Sequence, residues 1–221
     1  MGLDILKGLI LILIKNWYII LLFIAVIFLI SYLKSAKFKG WLGEKATSVG
    51  IGFKLDPAIY KVISDIIIPD KEGTTQIDHV VVSKYGIFVI EVKNYNGWIF
   101  GNEKDAEWIQ VLYKKKSRFQ NPLRQNYRHI KALVDYLKLD EKYFHSVIFF
   151  PGDSKFKAKM PANVLTSNLS NYIKTFNKPL LSAQTEKYVT ETLQGLKNNP
   201  VVSMKEHVRL LKEGHKRTEN M

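Results

Sequence analysis

Trp17 to Leu33 reads WYIILLFIAVIFLISYL, seventeen residues without a charge, and no other segment restricts the fold of this chain as strongly. At about 1.5 Å of helical rise per residue the run spans roughly 26 Å. Leu9–Ile14 (LILILI) precedes it, and with only Lys15 and Asn16 between them the apolar stretch reaches roughly 37 Å. Trp17, Tyr18 and Tyr32 lie near its ends, where amphipathic rings suit the headgroup region. A cleaved signal peptide would need a shorter apolar region and a better small-x-small site than SYLKSAKF. A buried core helix of this kind, with no polar face, would be unusual in so small a domain. Residues 9–33 are therefore expected to form a single-pass membrane anchor. Lys34, Lys37 and Lys39 after the run outnumber Lys7 and Lys15 before it, which favours a cytoplasmic soluble part.

The rest of the chain is basic. Of the net charge of +13, residues 1–33 hold Lys7 and Lys15 against Asp4, a balance of +1. Such a surface favours polyanions, either nucleic acid or anionic lipid headgroups, over a neutral partner. With no Cys in the chain, disulfide scaffolds, thiolate nucleophiles and Cys-based zinc or iron–sulfur sites are excluded. No glycine-rich phosphate loop and no Ser/His/Asp arrangement stands out, so kinase, NTPase and serine-hydrolase chemistry has no support.

Residues 38–53 place Leu42, Ala46, Val49 and Phe53 on one helical stripe, with Glu44 on roughly the opposite side. Strand-like runs follow at Tyr60–Ile68, Gln76–Ser83 and Gly86–Lys93, the first two separated by a turn at Pro69–Gly73 and the last two by a hairpin at Lys84–Gly86. Gly97–Tyr113 suggests a further two-stranded segment. Asn121-Pro122 opens a helix whose predicted core stripe is Leu123, Tyr127, Ile130, Val134 and Leu137. A buried strand at Ser146–Phe150 comes next, then helices near 168–176, 183–196 and 202–213. This order predicts an α/β fold around one mixed sheet flanked by helices, with an anchor and flank at 1–37, a core at 38–150 and a mainly helical extension at 151–221.

The run GIFVIEVK puts Ile87, Val89, Glu91 and Lys93 on one face of a strand, so an apolar face ends in a carboxylate and an ammonium. Burying either alone is costly, so the pair wants a partner or an ion. The preceding strand offers Asp78 in QIDHVVVS, and a hairpin brings it within reach of Glu91. Two close carboxylates repel unless one is protonated or a cation lies between them. Hard oxygen ligands favour Mg²⁺ or Mn²⁺, with Asp78 and Glu91 as ligands and Lys93 beside the substrate phosphate.

Asp78, twelve residues and then Glu91-x-Lys93 resembles the core of the PD-(D/E)xK nucleases. The wider set is more specific. Gly43-Glu44, Gln76-Ile77-Asp78-His79, Gly86 through Asn94, Gly97, Trp108, and Asn121-Pro122 with Gln125 resemble the nuclease-related domain, NERD, over about residues 38–150. Ile77 stands where the superfamily's named Pro would be. The resemblance implies a restriction-endonuclease-like fold and a metal-dependent phosphodiesterase acting on nucleic acid, DNA in preference to RNA. It implies metal ligation by Asp78 and Glu91, catalysis by Lys93, a supporting acid at Glu44 and a polar helix residue at Gln125.

The alternatives are a non-catalytic, membrane-tethered nucleic-acid-binding module using the same basic surface, or an interaction or scaffold domain at the membrane in which Asp78, Glu91 and Lys93 are structural ion pairs. Gln125 either faces the site or packs at a helix–sheet boundary. His79 points to the opposite face and reads as a satisfied core histidine, while His129 and His145 show no ligand spacing. Lys114, Lys115, Lys116 and Arg118 read as a solvated loop that is also a candidate phosphate-tracking surface, with nearby aromatics able to stack single-stranded bases.

Overall fold

The computed structural model describes residues 17–33, 55–71, 73–200, 206, 207 and 209. The expected helix over 38–53, and Glu44 with it, lies outside them, as do Leu9–Ile14, Lys34, Lys37, Lys39 and most of 202–213. The chain divides into two compact units, Met1–Gly43 and Glu44–Met221. In the first, helix α1 covers Trp17–Leu33. Trp17, Leu22, Phe28, Leu29 and Tyr32 are exposed on it. Among the described residues no helix is long and apolar enough to cross a membrane, so the expected spanning helix is reduced here to a seventeen-residue apolar segment.

The second unit holds two mixed sheets, where the sequence predicted one. Strands β1 (Lys61–Asp70), β2 (Gly73–Ser83), β3 (Gly86–Val92), β7 (Phe144–Phe149) and β9 (Val164–Leu165) form the first, in the order β1-β2-β3-β7-β9. Strands β4 (Gly97–Phe100), β5 (Glu107–Leu112), β6 (Lys115–Gln120) and β8 (Ser154–Phe156) form the second, in the order β6-β5-β4-β8. Pro69 and Asp70, predicted as turn, pair with Thr74 and Gly73 and so extend β1. The β2–β3 turn is fixed by Gly86: at φ +131° an L side chain is disfavoured, and a Cβ there would meet the His145 ring at 2.6 Å.

The β1–β2 and β2–β3 pairs are antiparallel, whereas β3–β7 and β7–β9 are parallel. Parallel neighbours need a crossover. Helix α2 (Pro122–Leu137) supplies it and packs Ile130, Leu133 and Leu137 on Val80, Val82, Ile87 and Val89. The predicted core stripe is corrected: Tyr127 is 54% exposed, and the buried face runs through Asn126, His129, Ile130, Leu133 and Leu137. Beyond a 3₁₀ turn at Glu141–Tyr143, helix α3 (Leu169–Lys174) covers the opposite face against Val81, Phe88 and Ile90. Helix α4 (Ala183–Asn198) joins α2 on the first face through Val189, Leu193 and Leu196. The segment after 151 is more than helical cover, because β8 and β9 complete the two sheets.

A third cluster locks the sheets together: Ile99 and Trp108 of the second pack with Ile148 and Val164 of the first and with Phe150, which follows β7. Asn121, fully buried, secures the same junction. Its Oδ1 accepts from the Leu123 N–H at 3.0 Å and caps α2, while Nδ2 lies 2.7–3.2 Å from the carbonyls of Asn102, Glu103 and Asp105. One side chain thus ties the β4–β5 loop to the start of α2. Asn121→Ala removes a cap and strips partners from buried carbonyls, so it should lower unfolding free energy by about 2–4 kcal/mol in urea titrations.

Candidate active site

The site begins with a break in strand alternation. Ile77 and Val80 are three residues apart yet share one core cluster, and so do Ile63 and Ile66 on the paired strand. Regular strands place residues three apart on opposite faces. The break falls at Asp65, whose φ of 59° is left-handed, and at Asp78 across from it. The β2–β3 register runs from Ser83↔Gly86 to His79↔Ile90 and ends there. In a continued register Val92 would face Ile77. Instead the Val92 N–H donates to Asp78 Oδ2 at 2.8 Å, so the carboxylate takes a ladder position.

Glu91 follows on the face of Ile87 and Val89, as the period of two predicts, and is 2% exposed. Lys93 Nζ lies 2.6 Å from its Oε1 and donates to Gln125 Oε1 at 2.9 Å. One helical turn beyond Gln125, His129 Nε2 lies 3.0 Å from Glu91 Oε2, and its Nδ1 lies 2.8 Å from Thr75 Oγ1. Against an ionised carboxylate Nε2 carries the proton, which leaves Nδ1 facing the Thr75 hydroxyl. Burial pushes the Glu91 carboxyl up, but the His129 hydrogen bond and the Lys93 charge outweigh it and hold it below the usual range. Burial pulls the Lys93 ammonium down, and the charge and hydrogen bond of Glu91, with a smaller pull from Asp78, more than reverse this. Both groups therefore stay charged at neutral pH.

The structure thus brings Asp78, Glu91, Lys93 and Gln125 to one end of β3, and Gln125 faces the site instead of packing away from it. Glu44 lies outside the described residues. Lys114, Lys115, Lys116 and Arg118 are not a loop: Lys114 lies in the turn before β6, and the other three are exposed on that strand, in the second sheet. Sequence reasoning missed His129, although its spacing of four from Gln125 put both on one side of α2. It also missed Thr75 and the fully buried Asn126, whose Nδ2 reaches the Val89 carbonyl and Ser146 Oγ, each at 2.9 Å, and clamps α2 across β3 and β7.

Among the described residues no group of three or more Asp, Glu or His side chains is arranged to hold a metal ion. The donor set still suits Mg²⁺ or Mn²⁺, which take one or two carboxylates and keep water or phosphate on their other positions. Asp78 and Glu91 are the residues that would hold it. Both Glu91 oxygens are engaged, Oε1 by Lys93 and Oε2 by His129, so an ion would have to share the carboxylate with them.

His79 is only half-satisfied. Its Nδ1 pairs with Ser64 Oγ at 2.9 Å, but its buried Nε2 has no partner among the described residues. Burial lowers its pKa from 6.5 to about 4, against a smaller opposing pull from Asp65. Between those values the unfolded chain binds the extra proton, so stability is full above pH 6.5 and falls towards pH 4. The loss should reach about 3 kcal/mol at about 1.4 per pH unit. Urea midpoints across this window should slope in the native protein and flatten in His79→Leu. The Glu91 contribution has the same sign but is lost only below its ordinary value near 4.5, as pH falls through the depressed one.

A sequence model of the nuclease-related domain matches residues 39–151, just over half of the chain. An uncharacterized protein of Bacillus anthracis is 51% identical over 98 residues, covering 44% of this chain and 46% of that relative, so the match spans about half of either protein. No solved structure matches the chain.

Proposed function

The chain belongs to the nuclease-related domain family, and on that premise we propose that it is a metal-dependent nuclease hydrolysing phosphodiester bonds, in DNA before RNA. One observation carries the reading: the Lys93 ammonium is held between Glu91 Oε1 at 2.6 Å and Gln125 Oε1 at 2.9 Å, at the end of an otherwise apolar strand. Asp78 and Glu91 would hold Mg²⁺ or Mn²⁺, and the ion would supply Lewis-acid polarisation of the phosphate and a water of lowered pKa. Lys93, kept cationic by Glu91, offsets charge developing on the scissile phosphate. Gln125 accepts from the ammonium and helps to position it, and His129 holds the Glu91 carboxylate from its other side. Asp78, bonded to the Val92 N–H, is held at the strand end. Lys114, Lys115, Lys116 and Arg118 contact the nucleic-acid backbone, a role suited to their exposure and charge.

The apolar helix α1, with the residues before it, tethers this unit to a membrane and leaves it on the cytoplasmic side. Exposed Leu22, Phe28, Leu29 and Ile30 support the tether, and the lysines after the helix support the orientation. The competing reading, a structural ion cluster in a tethered binding module, draws on the complete engagement of Glu91 by Lys93 and His129.

The two readings separate in one assay on the detergent-solubilised full chain. Labelled single- and double-stranded DNA and RNA are incubated with Mg²⁺, Mn²⁺ or EDTA, beside Asp78→Ala, Glu91→Gln and Lys93→Ala proteins of verified fold. Metal-dependent cleavage should fall by about a hundredfold or more in each variant. Absence of cleavage under every condition, with nucleic-acid binding intact in the variants, would establish the binding module.

A further inference from the structure

The second sheet has one face buried against the first and one face open. Ile99 and Trp108 point inward, into the cluster with Ile148 and Phe150. Their strand neighbours Trp98 and Phe100 are 49% and 39% exposed. The register sets them in two ranks across the sheet. Trp98 lies beside Val111, and Val111 beside Lys116; on its other side Trp98 pairs with Lys155. Phe100 lies beside Ile109, and Ile109 beside Arg118. Lys157 adds a further cation, its Nζ 4.1 Å from the centre of the Trp98 ring. Against these four cations the same face offers Glu107, paired with Arg118 at 3.5 Å. Two exposed rings about 7 Å apart along one strand, flanked by cations on both sides, match the general design of sheet platforms that stack successive bases and hold their phosphates.

The chain path joins this face to the ion cluster. The chain enters β4 four residues after Lys93 and leaves β6 five residues before Gln125, while the Lys93 and Gln125 side chains are 2.9 Å apart. Three of the four strands of the second sheet, β4, β5 and β6, are thus an excursion between two residues of the site.

We propose that the open face of the second sheet, with Trp98 and Phe100 as stacking rings and Lys116, Arg118, Lys155 and Lys157 as phosphate contacts, binds single-stranded nucleic acid and selects it over duplex. The inference deepens the nuclease reading and rests on it for the identity of the substrate. The physical reason for the selection is access: base faces are covered in a duplex and open in a single strand. An incoming base displaces the Lys157 ammonium from the Trp98 ring and leaves it placed for the adjoining phosphate.

The test is binding without turnover, by fluorescence anisotropy on the full chain in detergent with EDTA. The probes are a labelled oligothymidylate of about 16 nucleotides, the upper site size of one such platform, a duplex of equal length, and vesicles of anionic lipid. The single strand should bind at least about tenfold tighter than the duplex, and Trp98→Ala/Phe100→Ala should remove about tenfold or more of that affinity. Trp98→Phe, which keeps a ring, should retain it. Lys116→Ala/Arg118→Ala should flatten the salt dependence. Equal duplex binding, no binding at all, or no change in the double ring variant overturns the proposal. So does a ring variant whose only loss is vesicle binding, which would assign the face to lipid. Single-strand binding with no cleavage under any metal condition would sink the nuclease reading and leave the platform standing. Cleavage that ignores Trp98 and Phe100 would do the reverse.

Discussion

A carboxylate with 2% exposure stays ionised only if the protein replaces the water it has lost, and Glu91 is replaced on both sides. Lys93 supplies a full charge on the same strand, and His129 a ring N–H from the helix above. The cost of desolvating such an ion is several kcal/mol, so neither partner is dispensable to the other. That requirement fixes the rotation of α2, because His129 and Gln125 must face β3 while Ile130, Leu133 and Leu137 fill the core beside them. Asn126 settles the same rotation independently by hydrogen bonding across β3 and β7. The polar residues of α2 thus orient the helix, and the apolar ones supply the burial.

Asp78 reaches the site by a different route. A regular β2 would continue its ladder with β3 and keep residues 77 and 80 on opposite faces. The paired break at Asp65 and Asp78 interrupts alternation on two neighbouring strands and ends the β2–β3 ladder one residue earlier. The carboxylate then substitutes for a backbone acceptor, and the Val92 N–H orders it at the strand end. Backbone irregularity of this kind is common where a strand must re-aim a side chain. The excursion between Lys93 and Gln125 is the larger irregularity, and Asn121, fully buried, closes it onto α2.

Much of this was legible in the chain. Hydrophobic alternation located the three strands of the β1–β3 meander, Asn121-Pro122 located the start of α2, and the period of two put Glu91 and Lys93 on one face. The basic run Lys114–Arg118 misled, because its charge hid a strand: β6 is an edge whose exposed side chains need no apolar pattern. Tyr127 misled in the other direction. It is apolar enough to join a predicted stripe, yet it is 54% exposed, and the buried positions around it belong to Asn126 and His129. Polar residues buried for their hydrogen bonds leave no hydrophobic signature.

The sequence by itself determined the apolar helix, the succession of β1, β2, β3, α2 and β7, and the identity of the charged residues at the end of β3. These follow from local periodicity and from the cost of burying unpaired charge, which act over a few residues. Only the tertiary structure decided that there are two sheets, that His129 and Thr75 complete the surroundings of Glu91, and that Trp98 and Phe100 stand in ranks with Lys116 and Arg118. Those pairings join residues from different strands and helices through register and helix rotation, and no local pattern encodes them.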